Sequence, residues 1–196
     1  INGAWKDASD GKTFATQCPA TGETLSQCAE ATREDVDMAV YAAWQAWENW
    51  KNTTVTERAS ILNTIADIID ENKEHLAMVE SLDNGKPIRE TLAIDIPYSA
   101  AHFRYFAGAI LSEEGSANIL GGNMLSLVLR EPIGVVGQVI PWNFPFLMAA
   151  WKLAPVLASG CCTVIKPSSS TSLSLLELMR LIQDCLLYTS PSPRDR

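Results

Sequence analysis

Apolar positions change their spacing along this chain, and each change predicts a different kind of element. Up to residue 30 they are short pieces broken by Gly, Thr, Ser and Pro, and Pro19-Ala-Thr-Gly22 marks a turn between two of them. A small β-hairpin or meander is predicted there. Thr32 then precedes Arg33-Glu-Asp35, a helix start like a capping box with Asp in place of Glu or Gln. Val36, Ala39, Val40, Ala43, Trp44 and Trp47 follow at helical spacing. This predicts an amphipathic helix with its tryptophans mostly inward. A second helix is predicted from Thr56-Glu-Arg58, with a stripe of Ile61, Leu62, Ile65, Ala66, Ile68 and Ile69. A third runs through Leu76, Val79 and Leu82 to Asp83-Asn-Gly85, where glycine suits the left-handed residue after a helix. Residues 89–114 predict another helix, bent or interrupted at Pro97 because proline removes a helical donor.

Beyond the glycines at 121 and 122 the pattern shifts to strand formers. Met124-Leu-Ser-Leu-Val-Leu-Arg130 predicts one strand. Residues 133–140 are apolar on both alternations apart from Gly134, Gly137 and Gln138, as expected of a parallel strand covered on both faces. Residues 146–158 then predict a crossover helix ended by Gly160, 162–165 a second strand, and 173–187 a second covering helix. The result is an α/β fold: an N-terminal helical segment followed by a βαβ unit of a partial Rossmann-like parallel sheet. Open sheets of this kind bind their ligands at the carboxyl ends of the strands.

Composition narrows the picture. With 47% apolar residues over 196 positions, the chain can support a real core. Its formal charge of −8 argues against a nucleic-acid partner, which would need clustered Lys and Arg. No apolar run approaches the roughly 18 residues of a membrane span, and the first residues lack the regions of a signal peptide. Cys18, Cys28, Cys161, Cys162 and Cys185 show neither a CxxC nor a zinc-like spacing with histidine. They are expected to be reduced thiols of a cytoplasmic protein. Residues 188–196, Ser- and Pro-rich with a charged end, are expected to be a disordered or non-native tail after a domain segment of residues 1–187.

Three polar residues stand out for chemistry. Asn143 lies between the first buried strand and the positive end of the crossover helix, so its amide and neighbouring N–H groups could converge on a developing oxyanion. Asparagine is also a common turn residue and N-cap. Lys166 ends the second strand before Pro167, a place that usually holds only a solvated charge. Lys152 sits within an apolar helix and needs a carboxylate partner, a polar channel or an escape to the surface. Gly134 and Gly137 do not form the GxGxxG dinucleotide fingerprint.

The block from Glu131 to Pro145, with Thr163-Val-Ile-Lys-Pro167, resembles the aldehyde dehydrogenase superfamily. The likeness extends to Asn2-Gly-Ala-Trp5, Asp83-Asn-Gly-Lys-Pro87 and Phe103-Arg-Tyr-Phe-Ala-Gly108. It implies the N-terminal portion of that fold, with an oligomerisation strand near 124–130 and a dimer or tetramer when full length. It implies oxidation of an aldehyde to a carboxylic acid with NAD or NADP through a cysteine thioester. Asn143 would hold the carbonyl oxygen and Lys152 would belong to a proton relay. Ile140, Pro141, Trp142 and Asn143 would line the nicotinamide side of the cleft, while Lys166, Ser168 and Ser169 would meet the adenosine ribose. Ser169 replaces the usual glutamate, which removes a carboxylate that would repel a 2′-phosphate. Asp83 to Thr91 with His102 to Phe106 looks most like bacterial acetaldehyde and short-aliphatic-aldehyde enzymes. The nucleophilic cysteine and the water-activating glutamate lie downstream of Lys166 in the family, so the chain alone is expected to be inactive. The other reading is a non-catalytic fragment or structural subunit that keeps assembly surfaces.

Overall fold

A computed structural model describes residues 1–187, with side-chain surroundings through 183. The expected tail and the Cys185 thiol lie outside the described residues. An antiparallel hairpin of β1 (Thr13–Gln17) and β2 (Thr24–Ala29) opens the fold as predicted, with a bulge at Thr16/Gln17. Helix α1 (Arg33–Trp50) starts at the predicted capping box: the Thr32 hydroxyl accepts the Asp35 N–H, and the Asp35 carboxylate accepts the Thr32 N–H.

The interior of α1 corrects the sequence reading. Only Asp35 is buried in this helix; Val36 and Trp44 are exposed, and Trp47 is half-buried. Trp44 instead packs edge-on against Trp47 and lies over Gly134, where an added Cβ would meet its ring at 2.6 Å. Helical spacing shows which residues share a face, but not how completely another layer covers it.

The core lies among the later helices. α2 (Val55–Glu71) begins one residue earlier than predicted because Thr54, not a later residue, caps it, in a second capping box with Glu57. α3 (Lys73–Asn84) ends at Gly85 with φ 85°, the left-handed stop expected. A short helix α4 (Ile88–Glu90) runs into a π turn over Thr91–Asp95 and then α5 (Ile96–Leu111). The predicted interruption at Pro97 is therefore a π turn just before it, where the Ile96 N–H bonds back to Thr91. Leu62, Ile65, Ile69, Leu76, Phe103, Phe146, Leu178 and Ile182 are almost wholly removed from water in one cluster.

The remaining strands form two separate pairs. β3 (Ser116–Ile119) and β4 (Leu125–Val128) make an antiparallel hairpin whose Ile119, Leu125 and Leu127 are exposed. β5 (Val135–Val139) and β6 (Cys162–Lys166) are parallel, in register from Val135 opposite Cys162 to Val139 opposite Lys166. They are joined by α6 (Pro145–Ala158), and α7 (Leu173–Leu187) follows. This is the predicted βαβ unit. The expected burial on both faces is not realised, since Ile133 is 83% and Val139 70% exposed. Among the described residues the sheet has only these paired strands, too few to cover both faces and edges.

Helix α6 is pinned at both ends by charges that match its dipole. Arg58 of α2, buried with its pKa lowered by burial, donates to Ala158 O at the C-terminal end. At the N-terminal end the Glu80 carboxylate of α3 accepts the Phe146 N–H.

Phe103→Ala should cost about 3–5 kcal/mol, because its side chain is fully buried where α5 meets the other helices and the cavity cannot refill. Urea unfolding of the variant beside the parent chain measures it, and a loss below ~1 kcal/mol would show that α5 is not part of a common core.

Candidate functional site

The register of the parallel pair decides where its polar groups go. Ile140 donates its N–H to Lys166 O, so the two strands end together and release their loops at one edge. Pro141, Trp142, Asn143 and Phe144 leave β5 as an exposed turn before α6. The loop after β6 closes with a bridge between Ser168 and Thr171 before α7. Two proline rings bracket the first turn and supply no N–H groups.

The sequence-predicted residues are brought to this edge, with one exception. Ile140 is buried and anchors the strand end, while Trp142 is 64% exposed. Asn143 is exposed, and the N-cap of α6 is Phe144, so the amide of Asn143 does not serve as the helix cap. Its neighbouring backbone is a poorer source of donors than predicted, because Pro145 has none and the Phe146 N–H is directed to Glu80. The amide side chain is a donor that the turn offers beside the N–H groups of Trp142, Asn143 and Phe144. Lys166 is exposed, its ammonium donating to Pro167 O at 2.8 Å. The Ser168 hydroxyl pairs with that of Ser170, and Ser169 stays exposed. Lys152 is the exception: half-buried, it lines another cleft of about 580 Å³ with Glu131, Gln138 and Trp151. It has no carboxylate partner among the described residues, and the cleft it lines is shallow and mostly apolar, so its ammonium is carried toward the surface.

A cleft of about 530 Å³ runs between the first hairpin and the strand-end loops, lined by Thr16, Cys18, Asn84, Trp142 and Ser169 among others. It touches the turn and the serine loop, but neither Asn143 nor Lys166 lines it.

Sequence periodicity missed the groups that hold this edge in place. Glu80 and Asp83 lie on the buried face of α3, below Leu76, and are almost fully removed from water. Asp83 accepts the Leu173 N–H at the start of α7 at 2.8 Å and the Thr16 hydroxyl at 2.8 Å. Glu80 accepts the Phe146 N–H at 3.4 Å, while its other oxygen has no hydrogen-bond partner among the described residues. Burial raises its pKa to about 7, against the opposing pull of the Ser174 hydroxyl and the Phe146 N–H. Burial also raises the Asp83 pKa, with Thr16 and Leu173 holding it back. The available signal was a carboxyl residue four and seven places after Leu76, on the same stripe that otherwise reads as core.

These carboxylates bear on which ligand the edge can take. In sheets with the glycine fingerprint, helix N-terminal N–H groups receive a pyrophosphate. Here the first N–H groups of α6 and α7 are given to Glu80 and Asp83. What remains is an ammonium and a set of hydroxyls, a donor set that fits the vicinal hydroxyls of a ribose. The residues present thus fit the sugar of a nucleotide.

The described cysteines are free thiols: Cys18, Cys28, Cys161 and Cys162. Cys161 and Cys162 sit where β6 begins, opposite Val135, at the far end of the sheet from Asn143. Burial pushes the Cys162 thiol up to about 11, which leaves little thiolate at neutral pH.

The profile of the Aldehyde dehydrogenase family matches residues 5–189. An aldehyde dehydrogenase of Rhodospirillum rubrum is 51% identical over 186 residues, 95% of this chain and 37% of the relative. Acetaldehyde dehydrogenase 2 of Cupriavidus necator is 49% identical over 186 residues, again 95% of this chain and 37% of the relative. The fold is similar to the NAD+ complex structure of an aldehyde dehydrogenase from Bacillus cereus, with a TM-score of 0.91 and 43% identity over 94% of this chain and 38% of that one. The chain spans little more than a third of the length of these proteins.

The raised pKa of Glu80 has a signed consequence for stability. Below its ordinary value of 4.5 both folded and unfolded chains hold the proton; from there to about 7 the unfolded chain ionises first, so stability falls as pH rises. Relative to Glu80→Gln, the parent should lose about 3 kcal/mol between pH 4.5 and pH 8. Denaturant unfolding of both proteins across this range would show parallel profiles if Glu80 were not the group responsible.

Proposed function

This chain belongs to the aldehyde dehydrogenase family, and on that premise we propose that it supplies the oxyanion donor and the ribose-binding end of a site that oxidises an aldehyde to a carboxylic acid with NAD or NADP. The observation that carries this reading is the pairing of Asn143 and Lys166 at the shared carboxyl edge of β5 and β6. When bound, the dinucleotide supplies the hydride acceptor for the oxidation. Asn143 donates its amide N–H to the carbonyl oxygen as negative charge builds there, an interaction that strengthens toward the transition state. Lys166 and the hydroxyls of Ser168 and Ser169 meet the adenosine ribose, while Ile140, Pro141 and Trp142 wall the nicotinamide side. Lys152, at its open cleft, serves proton transfer.

The nucleophilic thiolate and the carboxylate that activates water are assigned to segments beyond the described residues, since Cys161 and Cys162 stand at the wrong end of the sheet. A short aliphatic aldehyde is the proposed substrate, supported by the likeness to Acetaldehyde dehydrogenase 2. The exposed Ile119, Leu125 and Leu127 of the β3–β4 hairpin support assembly into a dimer or tetramer. Free thiols support a reducing, cytoplasmic setting.

A chimera in which residues 1–187 replace the matching segment of the Rhodospirillum rubrum relative provides a complete enzyme for kinetics. In it, Asn143→Ala should lower kcat for acetaldehyde by about 100-fold or more. An unchanged kcat would remove Asn143 from the oxyanion site. The same chimera should use NADP with kcat/KM within about tenfold of NAD, a gap of roughly 1.4 kcal/mol. Ser169→Glu should then move the ratio toward NAD by at least ~10-fold, because the new carboxylate accepts ribose hydroxyls and repels a 2′-phosphate. If the ratio stays constant, other residues set the choice of dinucleotide.

A further inference from the structure

The segment Glu80 to Lys86 grips the turn that carries Asn143 at successive points along its backbone. Asn84 donates its side-chain N–H to Trp142 O at 2.6 Å, one residue before Asn143. The Lys86 ammonium sits 3.4 Å from the centre of the Phe144 ring, one residue after it. Glu80 accepts the Phe146 N–H at the head of α6. Regular backbone bonding does not hold this stretch: the strand ends with Ile140 N–H to Lys166 O, and the helix resumes with Met148 N–H to Phe144 O. Between these bonds the turn depends on α3 and the loop after it.

Lys86 is itself fixed. Its ammonium pairs with Asp95 at 2.7 Å, with side chains only 17% and 3% exposed. Asp95 closes the π turn before Pro97, so the irregularity in the long helix places the carboxylate that holds the cation over Phe144. Asp83 of the same segment binds the head of α7, which follows the serine loop. One short segment therefore touches the loops at both strand ends.

We propose that Asn84 and Lys86 are positioning residues, which fix the turn on both sides of Asn143 from outside its own βαβ unit, while Glu80 and Asp83 hold the two helix heads behind it. The functional consequence rests on the oxyanion role proposed for Asn143; the mechanical one does not. The position of the Asn143 amide is set by the Trp142 carbonyl and the Phe144 ring, so loosening either moves the donor. A displacement near 1 Å is enough to lower a rate by about 100-fold.

Hydrogen exchange on the full 196-residue chain and kinetics on the chimera test this together. Asn84→Ala and the similar-sized Asn84→Asp, which loses the donor, should each speed exchange of the Phe146 and Met148 amides, bonded to Glu80 and to Phe144 O, by about tenfold. Each should lower kcat by roughly 10- to 100-fold while KM for NAD changes less than about threefold. Lys86→Met should act in the same direction. Unchanged exchange in both Asn84 variants overturns the brace whatever Asn143 does. Faster exchange with unchanged kcat, in a chimera where Asn143→Ala is damaging, overturns its role in positioning the donor. Faster exchange in the Asn84 variants, with Asn143→Ala harmless, leaves the brace standing and removes the oxyanion reading instead. A fall in kcat together with a large loss in melting temperature and a raised KM marks a general structural role, and also overturns the proposal.

Discussion

Two carboxylates taken out of water, Glu80 and Asp83, are the constraint on which the strand-end edge depends. Each lies on α3, and each receives an N–H from the head of a different helix: Phe146 of α6 and Leu173 of α7. The desolvation cost is visible in the raised pKa of both groups. Compensation comes from the positive ends of the helix dipoles and from Thr16, a residue of the first hairpin. The arrangement joins hairpin, helical segment and βαβ unit through polar contacts whose geometry is stricter than apolar packing. A layer of Leu and Ile could hold these helices together, but would leave their rotation and the aim of the strand-end loops less defined.

The same contacts separate this edge from a dinucleotide site with a glycine fingerprint. There, open helix N-termini provide the affinity for phosphate. Here one N–H at each helix head is taken by a carboxylate, which would also repel an anion. On the proposed reading, recognition falls instead to side chains, the Asn143 amide, the Lys166 ammonium and the serine hydroxyls. On that reading, a Rossmann-like unit that lacks GxGxxG would still offer side-chain donors to a nucleotide. Such recognition also makes the aim of a few side chains, and hence the rigidity of their backbone, more important than it would be in a loop that binds through main-chain N–H groups.

Much of the fold was legible because local chemistry determines it. The capping box at Thr32, the left-handed stop at Gly85 and the interruption near Pro97 follow from residues within about one turn of each other, and the βαβ order from the succession of apolar patterns between residues 135 and 166. Burial was less legible. The apolar stripe on α1 predicted inward tryptophans, yet Trp44 is 43% exposed, and Val139 was expected to be covered but is 70% exposed. Coverage depends on which layers lie above a face, and spacing along the chain carries no such information. The strand-end position of Asn143 and Lys166 could be read because a parallel crossover brings consecutive strand ends to one edge. Their supporting residues could not, since the contact between Asn84 and Trp142 spans 58 positions.

Pro97 links these local and distant effects. Proline cannot donate to the helical ladder, and the chain accommodates it with a π turn that swings Asp95 toward the interior. There Asp95 secures Lys86, whose ammonium then lies against the ring of Phe144. A buried cation beside an aromatic face is favourable only when its charge is also balanced, and Asp95 provides that balance. The irregularity of one helix thus reaches the ring beside Asn143 through Asp95 and Lys86, a polar route distinct from the apolar core.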